Sequence, residues 1–264
     1  FEAWRASIKD NTKLFFGETI GNPSGAILDI EGLAAIAHAE GVPLMIDNTF
    51  ATPFLCRPLE FGADIVVHST TKYLGGHSDI SAGVVVSSTA VMQSVINSAR
   101  NYGGNLSEMM VWLLERSIKT LALRVHAQNE NALQMAQFLD QHPLVTAVHY
   151  PGLKNHPDHI LAQKQMNGFG GMLSFELHSE VDTLRFCEHL EMIKPAMSLA
   201  GVESTVIVPR LASHALLTEE ERLEQGIGAS LIRVSSGLEA PEDVHQDIRQ
   251  AMCNSKSENC HPRL

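Results

Sequence analysis

The 264 residues are 44% hydrophobic and 19% charged, a balance that fits a soluble globular chain of one large or two ordinary domains and argues against disorder in its bulk. A formal net charge of −11 argues against a nucleic-acid partner, because that affinity rests on clustered Lys and Arg neutralising phosphates. No apolar run approaches the roughly 18 to 20 residues of a bilayer-spanning helix, and no secretory leader opens the chain, so no membrane partner and a cytoplasmic location are expected.

In chain order, residues 14–18 read as a strand, 30–39 as a helix, and 42–47, 63–68 and 83–86 as further strands. Asp29 supplies a cap for the helix and Gly41 a stop. Pro43-Leu44-Met45-Ile46 and Ile65-Val66-Val67 are apolar without alternation, as in strands covered on both faces. This alternation of strand and helix predicts parallel βαβ units. From 106 to 139 apolar residues recur at helical spacing, interrupted at polar positions such as Lys119 and Asn129 and closed by His142-Pro143. One long helix, or two joined by a kink, follows from that pattern. Strands are then expected at 145–150, 172–177, 191–195 and 231–234, with helices at 182–190 and from Pro241 onward, an order that implies a separate α+β domain.

The expected fold class is therefore α/β, with a mostly parallel sheet domain at 1–122, a smaller C-terminal α+β domain at 123–252 and a disordered tail at 253–264. A sheet built only from the strands before residue 90 would leave apolar faces bare, so the large domain is expected to be N-terminally incomplete, with a preceding segment in the natural protein. Cys56, Cys187, Cys253 and Cys260 are dispersed without C-x-x-C spacing, which suggests free thiols and neither disulfides nor a zinc cage.

Polar groups end three of these strands, where a doubly wound sheet presents ligands. They are Asn22, Asp47 and the cluster Ser69-Thr70-Thr71-Lys72. Pyridoxal phosphate requires this set: an amine for its aldehyde, a carboxylate for its ring nitrogen and hydroxyls for its phosphate. A lysine desolvated beside a cationic ring loses stability as an ammonium ion and becomes a nucleophile and proton carrier. On spacing alone a plain structural reading competes with this one, since single Lys and Asp residues at strand ends are common.

Phe16 to Gly25, Asp47-Asn48-Thr49 and His68-Ser69-Thr70-Thr71-Lys72-Tyr73 together resemble the trans-sulfuration enzymes of cysteine and methionine metabolism. The resemblance continues in order through Gly75-Gly76-His77-Ser78-Asp79, Tyr150-Pro151-Gly152, Gly168 to Met172, Ser198 to Ser204, and Ile232 to Glu239. It implies the type I aminotransferase-like fold, with pyridoxal 5'-phosphate as cofactor. Within that family's pattern Lys72 is the Schiff-base lysine, Asp47 the partner of the ring nitrogen, Ser69 and Thr71 phosphate ligands, and Asn22 a neighbour of the ring hydroxyl. Ser198 and Arg233 hold the substrate α-carboxylate, a role that suits the planar fork of Arg.

The reaction implied is γ-elimination or γ-replacement on a sulfur amino acid or acylated homoserine, of the cystathionine γ-lyase or γ-synthase type, with Lys72 carrying the proton steps. Methionine γ-lyase and O-acylhomoserine sulfhydrylase activities are alternatives. The resemblance further implies a small amino-acid substrate and a homotetramer of active dimers at full length. Relatives that bind or make cystathionine often carry Glu before the Ser-Leu-Gly element, whereas this chain has Met197 there and Ala200 in place of Gly. An apolar wall suits an uncharged thioether end, so this hint and the wider resemblance point in different directions.

In the family an N-terminal segment supplies a glycine-rich phosphate contact, a ring-stacking aromatic residue, and an Arg and Tyr lent to the neighbouring subunit; none is present here. A different class of reading is accordingly a non-catalytic fragment that keeps the fold without a complete site. Ser69-x-x-Lys72 also fits the serine nucleophile motif of penicillin-recognising enzymes, but that motif opens a helix and needs companion elements that are missing. The histidines around His156-Pro157-Asp158-His159 read as solvated loop residues, so no metal is expected. Gly168 to Gly171 precedes a strand instead of opening a helix and reads as a turn.

Overall fold

The structure is a computed structural model that describes residues 1–256. It divides into two compact units, the first made of Phe1–Gly21, Ile27–Ala122 and Ile160–Gly168, the second of Asn22–Ala26, Leu123–His159 and the residues from Phe169 onward. In chain order the elements are α1 (Glu2–Ala6), β1 (Phe15–Glu18), α2 (Ile30–Ala39), β2 (Leu44–Asp47), α3 (Thr52–Leu55), β3 (Ile65–Ser69), β4 (Gly83–Ser87), α4 (Thr89–Tyr102) and α5 (Glu108–Ile118). There follow α6 (Leu121–Asp140), β5 (Val145–His149), α7 (His159–Gln165), β6 (Met172–Leu177), α8 (Thr183–His189), β7 (Lys194–Pro195), β8 (Thr205–Ile207), α9 (Glu219–Glu224), β9 (Leu231–Ser235) and α10 (Pro241–Asn254).

In the first unit the strands lie in the order β1-β2-β3-β4. The first three are parallel, with Glu18 opposite Asp47 and Asp47 opposite Val67, so the carboxyl ends of three strands share one edge. Helix α2 connects β1 to β2. The Asp29 carboxylate accepts the Gly32 N–H (2.9 Å), Ile30, Leu33, Ala34 and Ala37 form its buried stripe, and Gly41 at φ +66° allows the exit. β4 returns antiparallel to β3. The link between them, residues 70–82, contains no helix, and a parallel return in the same sheet usually runs through one.

The expected long helix is broken at Lys119 and Thr120 between α5 and α6, one of the polar interruptions visible in the sequence. Helix α4 is absent from the expected elements, although Val91, Met92, Val95 and Ile96 recur there at helical spacing. None of its residues is buried, so its order rests on the Ser88 cap, whose hydroxyl oxygen accepts the Val91 N–H, and on its own backbone.

The sheet of the second unit runs β5-β6-β9-β8-β7 and is antiparallel except for the β7–β8 pair. Its core joins Leu139 of α6, Phe175 of β6, Phe186 of α8, Ile232 and Val234 of β9, and Ile248 and Met252 of α10. The strand expected over 191–195 is reduced to Lys194–Pro195 because the preceding N–H groups have another acceptor. The buried Asp247 carboxylate accepts the N–H groups of Glu191 (2.8 Å), Met192 (3.0 Å) and Ile193 (2.8 Å). The expected tail also starts too early, since α10 continues through Asn254 and Lys256 bridges to Val181. The rest of that expectation, 257–264, lies outside the described residues.

Burial alone would raise the Asp247 carboxyl, but the N–H donors of Ile193 and Glu191, the Gln250 amide and the Met192 N–H outweigh it and hold it below the usual range. A depressed folded value stabilises above the unfolded value and is lost as pH falls through the folded one. Asp247→Asn is expected to cost about 2 to 3 kcal/mol at neutral pH, the scale of hydrogen bonds to a charged group. Urea midpoints for wild type and variant should converge below about pH 4, near the ordinary Asp value. A constant gap across that range would show that the charge is not the cause.

Candidate active site

The carboxyl edge of the first sheet is organised by the residues after Asp47. The Asp47 carboxylate accepts the Thr49 N–H at 2.8 Å, a two-residue Asx turn that fixes the acid at the strand end. The Thr49 hydroxyl oxygen in turn accepts the Ser69 N–H at 2.8 Å. Between them Asn48 is fully buried, accepting from the Thr19 hydroxyl (2.7 Å) and donating to the Cys56 carbonyl (2.9 Å). Asp47 and Ser69, on neighbouring parallel strands, are thus joined through a single threonine.

β3 leads from Ser69 directly into the turn that carries Lys72. The Lys72 N–H donates to the Ser69 carbonyl (3.1 Å), its carbonyl accepts from Gly76 N–H (2.6 Å), and Gly75 N–H donates to Thr70 (2.8 Å). A Cβ at Gly75 would lie 2.7 Å from the Thr70 carbonyl oxygen, so only glycine fits that approach. The Thr71 hydroxyl closes the loop by accepting the Ala82 N–H (2.9 Å) and donating to the Ala82 carbonyl (3.2 Å). His77 Nδ1 stands 2.8 Å from the Gly75 carbonyl, and because a carbonyl only accepts, that nitrogen carries the proton. Lys72 is half-buried on this platform.

An apolar hollow of about 400 Å³ also opens in the first unit, lined by Val66, His68, Val84, Val86, Pro53 and Ile118 among others. Strand alternation puts Val66 and His68 on one face and Asp47, Val67 and Ser69 on the other, so the hollow is not where the acid and hydroxyls meet. Burial lowers the His68 pKa and Asp47 opposes that only in part, which leaves a neutral imidazole behind the sheet.

In the second unit Arg233 sits in β9, 4% exposed, between β6 and β8. One guanidinium nitrogen donates to the Asn22 side-chain carbonyl (3.3 Å) and another to the Met197 backbone carbonyl (3.1 Å). The segment before it is tied to the same strand: Ala200, at φ +66°, donates its N–H to the Ser235 hydroxyl at 2.7 Å. Ser198 is exposed, with its carbonyl accepting from the Thr205 hydroxyl (3.2 Å). The Met197 side chain is 67% exposed, so its contribution to Arg233 is the backbone carbonyl.

The structure therefore brings Asp47, Ser69 and the Lys72 turn together in the first unit, and Asn22, Arg233 and the 197–200 segment together in the second. The resemblance includes Asp47-Asn48-Thr49 but gives Thr49 no role, and its signal was its place two residues after an acid that ends a strand. His214 was missing from the expected site, and its pKa is lowered by burial and further by Arg233. The loop histidines need one correction: His159 is buried, its Nδ1 lies 2.7 Å from the Pro151 carbonyl, and its ring stacks on Phe169. Among the described residues no group of three or more His, Cys, Asp or Glu is placed to hold a metal ion, and no helix is long and apolar enough to cross a membrane.

Residues 1–253 match the family of Cys/Met metabolism PLP-dependent enzymes, and the chain belongs to that family. It is 47% identical over 249 residues to a cystathionine beta-lyase of Lactococcus lactis subsp. cremoris (strain MG1363), and 47% identical over 249 residues to a cystathionine gamma-lyase of Bacillus subtilis (strain 168). Each match covers 94% of this chain and 66% of the relative, so the chain spans just under two thirds of those proteins' length. Among solved structures it resembles cystathionine gamma-lyase from Lactobacillus plantarum, determined with L-serine, at a TM-score of 0.92 and 42% identity over 96% of this chain and 67% of that one. Membership makes pyridoxal phosphate the cofactor, and the residues present fit it. The carboxylate is anchored at one oxygen, a half-buried serine lies one threonine away, and a half-buried lysine follows within the same turn.

Proposed function

We propose that the protein catalyses γ-elimination or γ-replacement on a sulfur amino acid or an acylated homoserine. The observation that carries this reading is the continuous path from Asp47 through Thr49 to Ser69 and into the Lys72 turn. Bound pyridoxal phosphate supplies an electron sink for the charge developed at the substrate Cα. The remaining work falls to the chain. Lys72 would hold the cofactor and carry the proton at the substrate Cα. Asp47, oriented by the Thr49 N–H, keeps the ring nitrogen protonated. Ser69 takes the phosphate with Thr71, whose single hydroxyl proton would have to leave the Ala82 carbonyl to reach a phosphate oxygen. Arg233 and Ser198 take the α-carboxylate, and Asn22 is assigned to the ring hydroxyl while accepting from Arg233.

The same proposal includes a homotetramer of active dimers in the cytoplasm. It is supported by the exposed apolar residues Met109, Val111 and Trp112 of α5, a surface that subunits commonly cover, and by the free thiols of Cys56, Cys187 and Cys253. A second reading, β-elimination, is favoured by the Lactococcus relative. Cystathionine distinguishes the two, because γ-cleavage releases 2-oxobutyrate and β-cleavage releases pyruvate.

The chain treated with pyridoxal phosphate and then borohydride is expected to carry one reduced adduct, on Lys72, when mapped by mass spectrometry. An adduct on another lysine sinks the assignment. A chain that takes up no cofactor supports the non-catalytic fragment reading instead.

A further inference from the structure

Pyridoxal phosphate carries a cationic nitrogen in its ring and a phosphate on a short arm from the same ring. A site for it must hold an acid and its phosphate donors at a set separation. In this chain the two poles come from different strands, Asp47 from β2 and Ser69 from β3, and one residue bonds to both. Thr49 gives its N–H to the Asp47 carboxylate at 2.8 Å and receives the Ser69 N–H on its hydroxyl at 2.8 Å, while 8% exposed. The two bonds use different parts of the residue, the backbone for the acid and the side chain for the serine.

We propose that Thr49 is a positioning residue that sets the spacing between the acid pole and the phosphate pole, and so selects for the phosphorylated form of the cofactor. The inference rests on the pyridoxal-phosphate reading of this site. Position 49 separates the two functions cleanly. Valine keeps the shape and the N–H to Asp47 but removes the acceptor for Ser69, whereas serine restores that acceptor.

The test compares wild type, T49V and T49S in the full chain, with and without cofactor. Without cofactor, the Ser69 amide is expected to exchange with deuterium faster in T49V and at the wild-type rate in T49S. With cofactor, T49V should bind pyridoxal phosphate about tenfold more weakly, the size of one lost acceptor for a partly buried N–H, and bind unphosphorylated pyridoxal within about twofold of wild type. T49S should match wild type for both ligands. A merely structural role would weaken both ligands alike and leave their ratio unchanged, and that result overturns the inference. So does Ser69 exchange that is the same in T49V and wild type. Wild-type protein that binds neither ligand overturns the functional reading first, with the exchange data still deciding whether Thr49 fixes Ser69.

Discussion

Lys72→Ala is expected to lose the borohydride-trapped adduct completely and to lower turnover of a sulfur amino acid by about 10²- to 10⁴-fold, the range for removing a positioned proton-transfer group. The loss should be chemical, since the turn around residue 72 is fixed by main-chain bonds from Lys72 to Ser69 and from Gly76 to Lys72, neither of which uses the lysine side chain. Lys72→Arg is expected to be equally inactive, because a guanidinium keeps its proton across the whole working range and cannot act as the amine. A reduced adduct persisting in Lys72→Ala at wild-type yield would remove Lys72 from the mechanism.

Arg233→Lys should weaken binding of the substrate amino acid about 100-fold, or about 2.8 kcal/mol at 1.4 kcal/mol per tenfold, while the charge at the position is kept. The fork is what matters here. One arm of the guanidinium meets Asn22 and another meets the Met197 carbonyl, and a single ammonium on a flexible stem cannot hold both acceptors and a carboxylate. The effect should fall mainly on KM, as expected for a group that binds ground state and transition state alike. Methyl esters of the same amino acid, which lack the carboxylate, are the control. Wild type and variant should bind the ester alike, and an equal loss for acid and ester would assign Arg233 to the fold.

The sheet edge that gathers Asp47 and Ser69 was legible in the sequence. Apolar runs without alternation located β2 and β3, and the polar residues ending them were Asp47 and Ser69 because a parallel sheet exposes that edge. The cap at Asp29 and the stop at Gly41 bounded α2 within a residue. Other features were illegible for physical reasons. Strand direction leaves no mark on side-chain alternation, so the antiparallel return of β4 was not visible. The strand expected at 191–195 shrank because Asp247, more than fifty residues on, takes its N–H groups. Thr49 stood in the matched Asp47-Asn48-Thr49 stretch without a role, because the two bonds that give it one form only at the folded edge.

The two units also bear on how the chain can be made and cut. Neither is a continuous stretch. The first needs residues 160–168, where Gln165 donates to the Leu28 carbonyl at 2.8 Å and Asn167 N–H to that of Leu55 at 2.7 Å, and the second needs 22–26, where the Ser174 hydroxyl donates to the Pro23 carbonyl at 2.7 Å. During synthesis the first unit lacks one of its segments until the ribosome has passed residue 168, well into the second, although all four strands of its sheet are made by residue 87. A recombinant split near residue 122 would leave both halves short of a tether, and two-piece complementation belongs at a boundary that keeps 160–168 with the first unit.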